Sequence, residues 1–229
     1  MERNKKIGLG IIGILCLGAL LLVIGMRSAE PPIGGQSTEK ETEKEVQFPC
    51  ELEGGKLQLL SLFQSSVSNP DSDGSYVEDL ASLEVANRSK KHLQEATIEI
   101  TLDDGETLTF VLEEVPAGKT VWAFEVDNKC YKMEQKILKA ECEATFTEKT
   151  VLLEEELNIE AEDTLVSVKN IGNEVLDNLE FEFHCLFDEV YYGGKTYKYK
   201  LDTLIVGEEV SMEVWECYLG IADVVKVEK

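Results

Sequence analysis

Leu165-Val-Ser-Val-Lys-Asn170, followed by Leu179-Glu-Phe-Glu-Phe183 and Gly207-Glu-Glu-Val-Ser-Met-Glu-Val214, is the second copy of an earlier stretch. The first copy runs Leu83-Glu-Val-Ala-Asn87, Ile98-Glu-Ile-Thr-Leu102 and Gly118-Lys-Thr-Val-Trp-Ala-Phe124. Asn170 follows Asn87 by 83 residues, and Phe181-Glu-Phe183 follows Ile98-Glu-Ile100 by the same interval. Gly207 follows Gly118 by 89, which places six extra residues around Tyr191-Tyr-Gly-Gly-Lys195. Self-similarity of this kind sets the unit of architecture. Each copy consists of short runs alternating apolar and polar residues, separated by turn residues, so the unit is a small β module.

The first module occupies residues 48–148. Lys56-Leu-Gln-Leu-Leu-Ser-Leu-Phe63 follows the Gly54-Gly55 turn and reads as a strand, Ser65 to Asp79 as a polar loop, and Asp79 to Asn87 as the next strand. Asp103-Asp104-Gly105 joins two alternating runs as a hairpin, and Pro116-Ala-Gly118 makes another turn. Trp122, Phe124 and Val126 are expected to point one way, and Ile137 to Phe146 supplies a last strand. The second module occupies residues 149–229. There Val210, Met212 and Val214 are expected to replace Trp122, Phe124 and Val126, and Tyr191 to Tyr199 reads as a hairpin tip with its return strand. Many short strands, frequent turns and few helix signals imply an all-β fold of two tandem small sandwiches.

A strand ending in Asn, a polar loop, an alternating strand ending in an acidic turn and a later Pro/Gly turn resemble the FxLYD-type domains of bacterial envelope proteins. Ile100-Thr-Leu-Asp-Asp104 and Phe183-His-Cys-Leu-Phe-Asp188 carry the resemblance, with Pro116-Ala-Gly118 and Val206-Gly207 as the later turn. The first copy lacks the signature's aromatic residues, and the second has one residue more than the signature. The resemblance implies immunoglobulin-like β-sandwiches on the outer side of a membrane. It implies no activity.

Ahead of the modules, Ile7 to Met26 is an uncharged apolar run of 20 residues. At 1.5 Å per residue a helix of that length spans about 30 Å, the thickness of a bilayer's hydrocarbon core. It exceeds the apolar region of a cleaved signal peptide, and Ser28-Ala29 makes a poor cleavage site, so it reads as a retained anchor within residues 1–27. Cys16 follows Leu15 inside the run, which argues against lipid attachment. Arg3, Lys5 and Lys6 precede the run and Arg27 follows it, placing the N-terminus in the cytoplasm and the remainder outside. Residues 28–47, rich in Pro, Gly, Glu and Lys, read as a flexible linker.

Charge then excludes a class of partner. Four of the 22 basic residues and one of the 45 acidic ones lie before Ser28, so the remaining chain carries a net −26. Such a chain repels nucleic acid and has no basic stripe to offset that.

The chemistry-bearing residues are sparse. Asn69-Pro-Asp-Ser-Asp-Gly-Ser-Tyr-Val-Glu-Asp79 has the alternating oxygen donors of a calcium loop, with Asp71, Asp73 and Asp79 as candidate ligands. Its twelfth position is Leu80 where a bidentate carboxylate is needed, so an ordinary acidic loop is the favoured reading. His92 sits in a polar loop, and alternation turns His184 away from Phe183 and Cys185, toward the surface. No nucleophile–base–acid set and no zinc spacing is present, and no cofactor is expected. Of the five cysteines outside the anchor, Cys185 and Cys217 are the expected disulfide; Cys50 and Cys142 could form a second one or remain thiols, with Cys130 left over. Tyr191, Tyr192, Tyr197 and Tyr199 form either a contact patch or, the preferred reading, cross-strand pairs.

These features lead to the expectation of a single-pass envelope protein that binds or scaffolds another envelope component, a protein or a glycan, without catalysis. The alternative is a metal-dependent envelope enzyme or accessory subunit, resting on the Asp71/Asp73 loop and His184.

Overall fold

A computed structural model describes residues 45–229. The Ile7–Met26 run, Cys16 and residues 28–44 of the linker lie outside these residues, and among the described residues no helix is long and apolar enough to cross a membrane. The described chain is all-β. Its first half contains β1 (Cys50–Leu52), β2 (Leu57–Ser68), β3 (Tyr76–Asn87), β4 (His92–Leu102), β5 (Thr107–Val115), β6 (Thr120–Phe124) and β7 (Ile137–Thr147). The second half contains β8 (Leu157–Glu162), β9 (Leu165–Asn170), β10 (Leu176–Phe187), β11 (Val190–Leu204), β12 (Glu209–Glu213) and β13 (Ile221–Glu228).

The repeat is a repeat of strand pairing. In the first half β3 pairs with β2 and β6 while β4 pairs with β5 and β7. In the second half β9 pairs with β8 and β12 while β10 pairs with β11 and β13. The turns correspond as well: Gly118 N donates to Asn87 O at 2.9 Å and Gly207 N to Asn170 O at 3.0 Å, both glycines at a φ near +80° (79° and 78°) that side chains disfavour. Alternation shapes each strand. In β4, Ala96, Ile98, Ile100 and Leu102 are buried, while Glu95 and Glu99 face solvent.

The two halves do not stand apart as separate beads. β6 pairs in parallel with the start of β11, Thr120 to Trp122 against Val190 to Tyr192, and this is the only parallel pair among the described strands. One seven-stranded sheet results, ordered β1-β2-β3-β6-β11-β10-β13. The sheet β5-β4-β7 packs on it over the first core, and β12-β9-β8 packs on it over the second. These two covers lie on opposite faces. Phe181, Phe183 and Cys185 of β10 enter the second core, whereas His184 and Leu186 of the same strand face β5 and the first core.

Several expectations need correction on this account. His184 is fully buried instead of surface-exposed, because β5 covers the face of β10 that alternation assigns to solvent. The loop read over Ser65–Asp79 shrinks to residues 69–75, since β2 and β3 extend as a paired ribbon past the core. The second hairpin turns at Asp188-Glu189, both with positive φ (45° and 70°), so Tyr191 to Tyr199 is strand and not tip. Residues 151–156 precede β8 instead of opening it. Finally, Val121 and Ala123 point into the first core and match Val210 and Met212 at the 89-residue interval, while Trp122 and Phe124 lie on the other face.

Candidate functional site at the junction of the two halves

The six extra residues of the second copy make the junction. Across β10 and β11 the register jumps from Phe183 opposite Tyr197 to Cys185 opposite Tyr192, so Gly193 to Thr196 leave the ladder as a bulge. Their backbone N–H groups turn to the first half. The Asp71 carboxylate accepts from Gly194 N at 2.8 Å, Lys195 N at 3.0 Å and Phe124 N at 2.7 Å, and Lys195 Nζ donates to the Asp71 carbonyl at 2.6 Å. Thr196 N and its hydroxyl both donate to the Glu113 carboxylate at 3.1 Å. Gly194 is required by proximity: a Cβ there would lie 2.0 Å from Val111 O.

This arrangement assigns the acidic loop to structure. Asp71 is held rigidly, with its N–H on Asn69 Oδ1 at 2.9 Å and Asn69 Nδ2 on Glu125 O at 2.7 Å. Burial pushes the Asp71 carboxyl up to about 6, outweighing the N–H groups of Phe124, Gly194 and Lys195 and the Lys195 charge. Asp73 is exposed and accepts from Ser75 N at 3.0 Å, a contact that with the Ser75 hydroxyl lowers its carboxyl below the usual range. Asp79 is exposed, and its carbonyl accepts from Tyr131 N. The three carboxylates do not converge, and no group of three or more His, Cys, Asp or Glu among the described residues could hold a metal ion.

Both histidines lie in the same seam. His184 Nε2 donates to Glu113 O at 2.7 Å, its Nδ1 is buried without a partner, and its ring stacks on Tyr191 at 4.5 Å. His92, read as a loop residue, is the buried first residue of β4, with Nε2 2.6 Å from Glu114 Oε2. Lys226 ties Glu114 of the first half to Glu182 of the second at 3.0 and 3.1 Å. Neither histidine stands beside a nucleophile.

On the opposite face the junction opens into a groove. The cover β12-β9-β8 lies over the second half only, so Trp122 of β6 and its cross-strand neighbour Tyr192 of β11 stand uncovered at the step. The other wall is the segment from Val214 to Gly220, a single 3-10 turn at Trp215–Cys217 and the residues that follow. Trp122, Phe187, Tyr192, Glu216, Tyr218 and Leu219 line a cavity of about 100 Å³ between them. Beneath it Cys185 and Cys217 are joined, which fixes the wall to β10. Gly220 passes so near that a Cβ would lie 2.2 Å from Leu186 O. Phe124 supports Tyr192 from below at 5.0 Å, and Phe63 meets Trp122 edge-on at 6.3 Å. The wall's own side chains face solvent, Trp215 at 68%, Tyr218 at 72% and Leu219 at 58% exposed.

The tyrosines divide between these surroundings. Tyr191 is fully buried in the first core with its hydroxyl donating to Asp223 at 2.6 Å, so it cannot be a contact residue. Its place beside β6, inside the shared sheet, is the reason. Tyr192 lines the groove, where burial, then Tyr218 and Asp71, raise its phenol above the usual range. Tyr197 and Tyr199 pack half-buried on the second core, and the Tyr199 hydroxyl donates to Glu216 at 2.6 Å on the groove's rim. Cys50 and Cys142 are unbonded, half-buried thiols at the edge of the first core, and burial followed by Glu53 and Glu143 pushes Cys142 up to about 12. Cys130 is an exposed thiol.

Trp122, Phe187, Tyr218 and Leu219 escaped sequence reasoning. The available signal was the run Trp215-Glu-Cys-Tyr-Leu-Gly220, whose three large apolar side chains fit no alternating strand. No protein-family model matches this chain, and no curated protein matches it.

Proposed function

We propose that the chain is a membrane-anchored, extracytoplasmic binding or scaffolding protein of a bacterial envelope, built from two immunoglobulin-like β-sandwiches of the FxLYD type. The groove at their junction is its contact site, and it holds a partner, protein or glycan, without acting on it chemically. The observation that carries this reading is the cluster of exposed aromatic and aliphatic side chains on the Val214–Gly220 wall, fixed in place by the Cys185–Cys217 bond. A contiguous exposed apolar patch with a polar rim marks an interaction surface. Rigid mounting suits binding, because little conformational freedom is lost when a partner arrives. Support for the compartment comes from the uncharged Ile7–Met26 run with its flanking basic residues and from a disulfide, which persists in oxidising surroundings.

The test is a photo-crosslinking residue at Tyr218 in the native host, with Lys90 as control. A discrete adduct from Tyr218 alone is expected. Identical adduct patterns from both positions, or none from either, would overturn the reading.

A further inference from the structure

The groove's chemistry specifies its occupant further, given that the junction is the contact site. Four aromatic residues, Trp122, Phe187, Tyr192 and Tyr218, converge on the cavity, and its one charged lining residue is Glu216. Of the Glu216 carboxylate, Oε2 is taken by the Tyr199 hydroxyl, while Oε1 has no partner among the described residues. No Lys, Arg or His lines the cavity. Further acids stand near: Glu84 pairs across from Trp122, and Asp188 and Glu189 follow Phe187 in the hairpin turn.

Aromatic faces attract cations through the ring quadrupole, and a neighbouring carboxylate adds charge attraction. An apolar cavity of about 150 Å³ holds a benzene ring. A cavity of about 100 Å³ therefore suits the end of one side chain and excludes a sugar ring or a folded loop. Outside it, Trp215, Leu219 and Ile221 remain 68%, 58% and 44% exposed, a surface that a lone small cation would leave uncovered. A polypeptide strand running past the cavity would cover it.

We infer that the groove receives a basic polypeptide segment of an envelope partner, with an arginine side chain inserted among Trp122, Tyr192 and Tyr218 beside Glu216. Arginine fits better than lysine because its planar guanidinium stacks on rings while donating to a carboxylate. The acidity of the chain outside the anchor, a net −26 after the five charged residues before Ser28 are set aside from the 22 basic and 45 acidic, favours the same partner and speeds its approach.

The chain contains two tryptophans, Trp122 in the cavity and Trp215 on its wall, so intrinsic fluorescence reports on this groove. The full-length protein in maltoside micelles at low salt is titrated with the peptide acetyl-Gly-Ser-Arg-Leu-Arg-Ser-Gly-amide. Its twin carries citrulline, the uncharged isostere, in place of arginine. The arginine peptide is expected to give a saturable emission change about tenfold tighter than the citrulline peptide. Glu216→Gln should weaken it several-fold and Tyr218→Ala should abolish it, both with the melting temperature unchanged. Equal response to both peptides, or none to either, overturns the inference. So does saturation by tetramethylammonium chloride at the concentration the arginine peptide requires, which would make the site one for small quaternary cations. If the peptides fail while Tyr218 still crosslinks a partner, the basic occupant is wrong and the binding role stands; failure of both removes both.

Discussion

Asn87 and Asn170 make the same pair of hydrogen bonds in the two halves of the molecule. Asn87 Nδ2 donates to Lys91 O at 3.0 Å and Val115 O at 2.9 Å; Asn170 Nδ2 donates to Glu174 O at 2.8 Å and Leu204 O at 2.9 Å. The acceptors are separated by the same intervals as the sequence copies, 83 residues for Lys91 and Glu174 and 89 for Val115 and Leu204. Each side chain sews the end of one sheet to the sheet opposite, and both asparagines are 1% exposed.

Replacing either asparagine by alanine leaves two carbonyls without their donor in a buried position. Each loss costs about 1–3 kcal/mol, so Asn87→Ala and Asn170→Ala should each lower stability by about 2–4 kcal/mol. Urea unfolding followed by tryptophan emission checks this. A change below about 0.5 kcal/mol in either variant would show that the bonds are incidental.

The Asp71 clasp should be equally sensitive. Asp71→Ala strands three buried N–H donors and is expected to cost about 3 kcal/mol or more. Gly194→Ala puts a methyl group on Val111 O and should be at least as damaging, whereas Lys195→Ala removes one partly exposed bond and should cost about 1 kcal/mol. Thermal melts of the three variants should fall in that order.

These two clasps differ in how far they could be read beforehand. The asparagine and its glycine turn are local, four residues and one strand apart, and they recur, so repetition exposes them. Asp71 and Gly194 are 123 residues apart, and nothing local marks Asp71 as a receiver of backbone donors instead of a metal ligand. Alternation says that Phe183 and His184 face opposite ways; it does not say that a second layer covers both faces of β10. The parallel pairing of β6 with β11 leaves no local trace at all, and it is this pairing that sets Trp122 beside Tyr192.

His184 and Asp71 answer acid in opposite directions. Burial holds the His184 imidazole below its ordinary value, despite the Glu113 carbonyl and the charges of Asp223, Glu113 and Glu114. The unfolded chain thus takes up a proton near pH 6 that the folded chain refuses, so this contribution is present above about pH 6.5 and is lost as pH falls. Asp71, raised to about 6, does the reverse: the fold holds a proton that the unfolded chain releases near 3.8, and this contribution is lost as pH rises through 6. Between pH 5 and 7, His184→Gln should therefore make the slope of stability against pH more negative, and Asp71→Asn should make it more positive. Melting temperatures across that range check both signs; unchanged slopes would contradict the burial assigned to these groups.

Alkylation without reductant should modify Cys50, Cys130 and Cys142 after unfolding but leave Cys185 and Cys217 unmodified. Peptide mass spectrometry reads this directly. Cys217→Ser should cost about 2–4 kcal/mol and loosen the wall that carries Trp215 and Tyr218. An alkylated Cys217 in the protein isolated from its host would remove the disulfide from the account.

The central claim is that the inserted segment fuses two repeated modules into one rigid platform and thereby builds the groove. Amide hydrogen exchange of Gly194, Lys195 and Thr196 in the full-length protein tests it most directly, because their N–H groups are the ones given to Asp71 and Glu113. The account predicts exchange as slow as that of the β10 core at Phe181 and Phe183. Exchange complete within seconds, as in a free loop, would mean that the two halves are hinged and that the groove is not a preformed site.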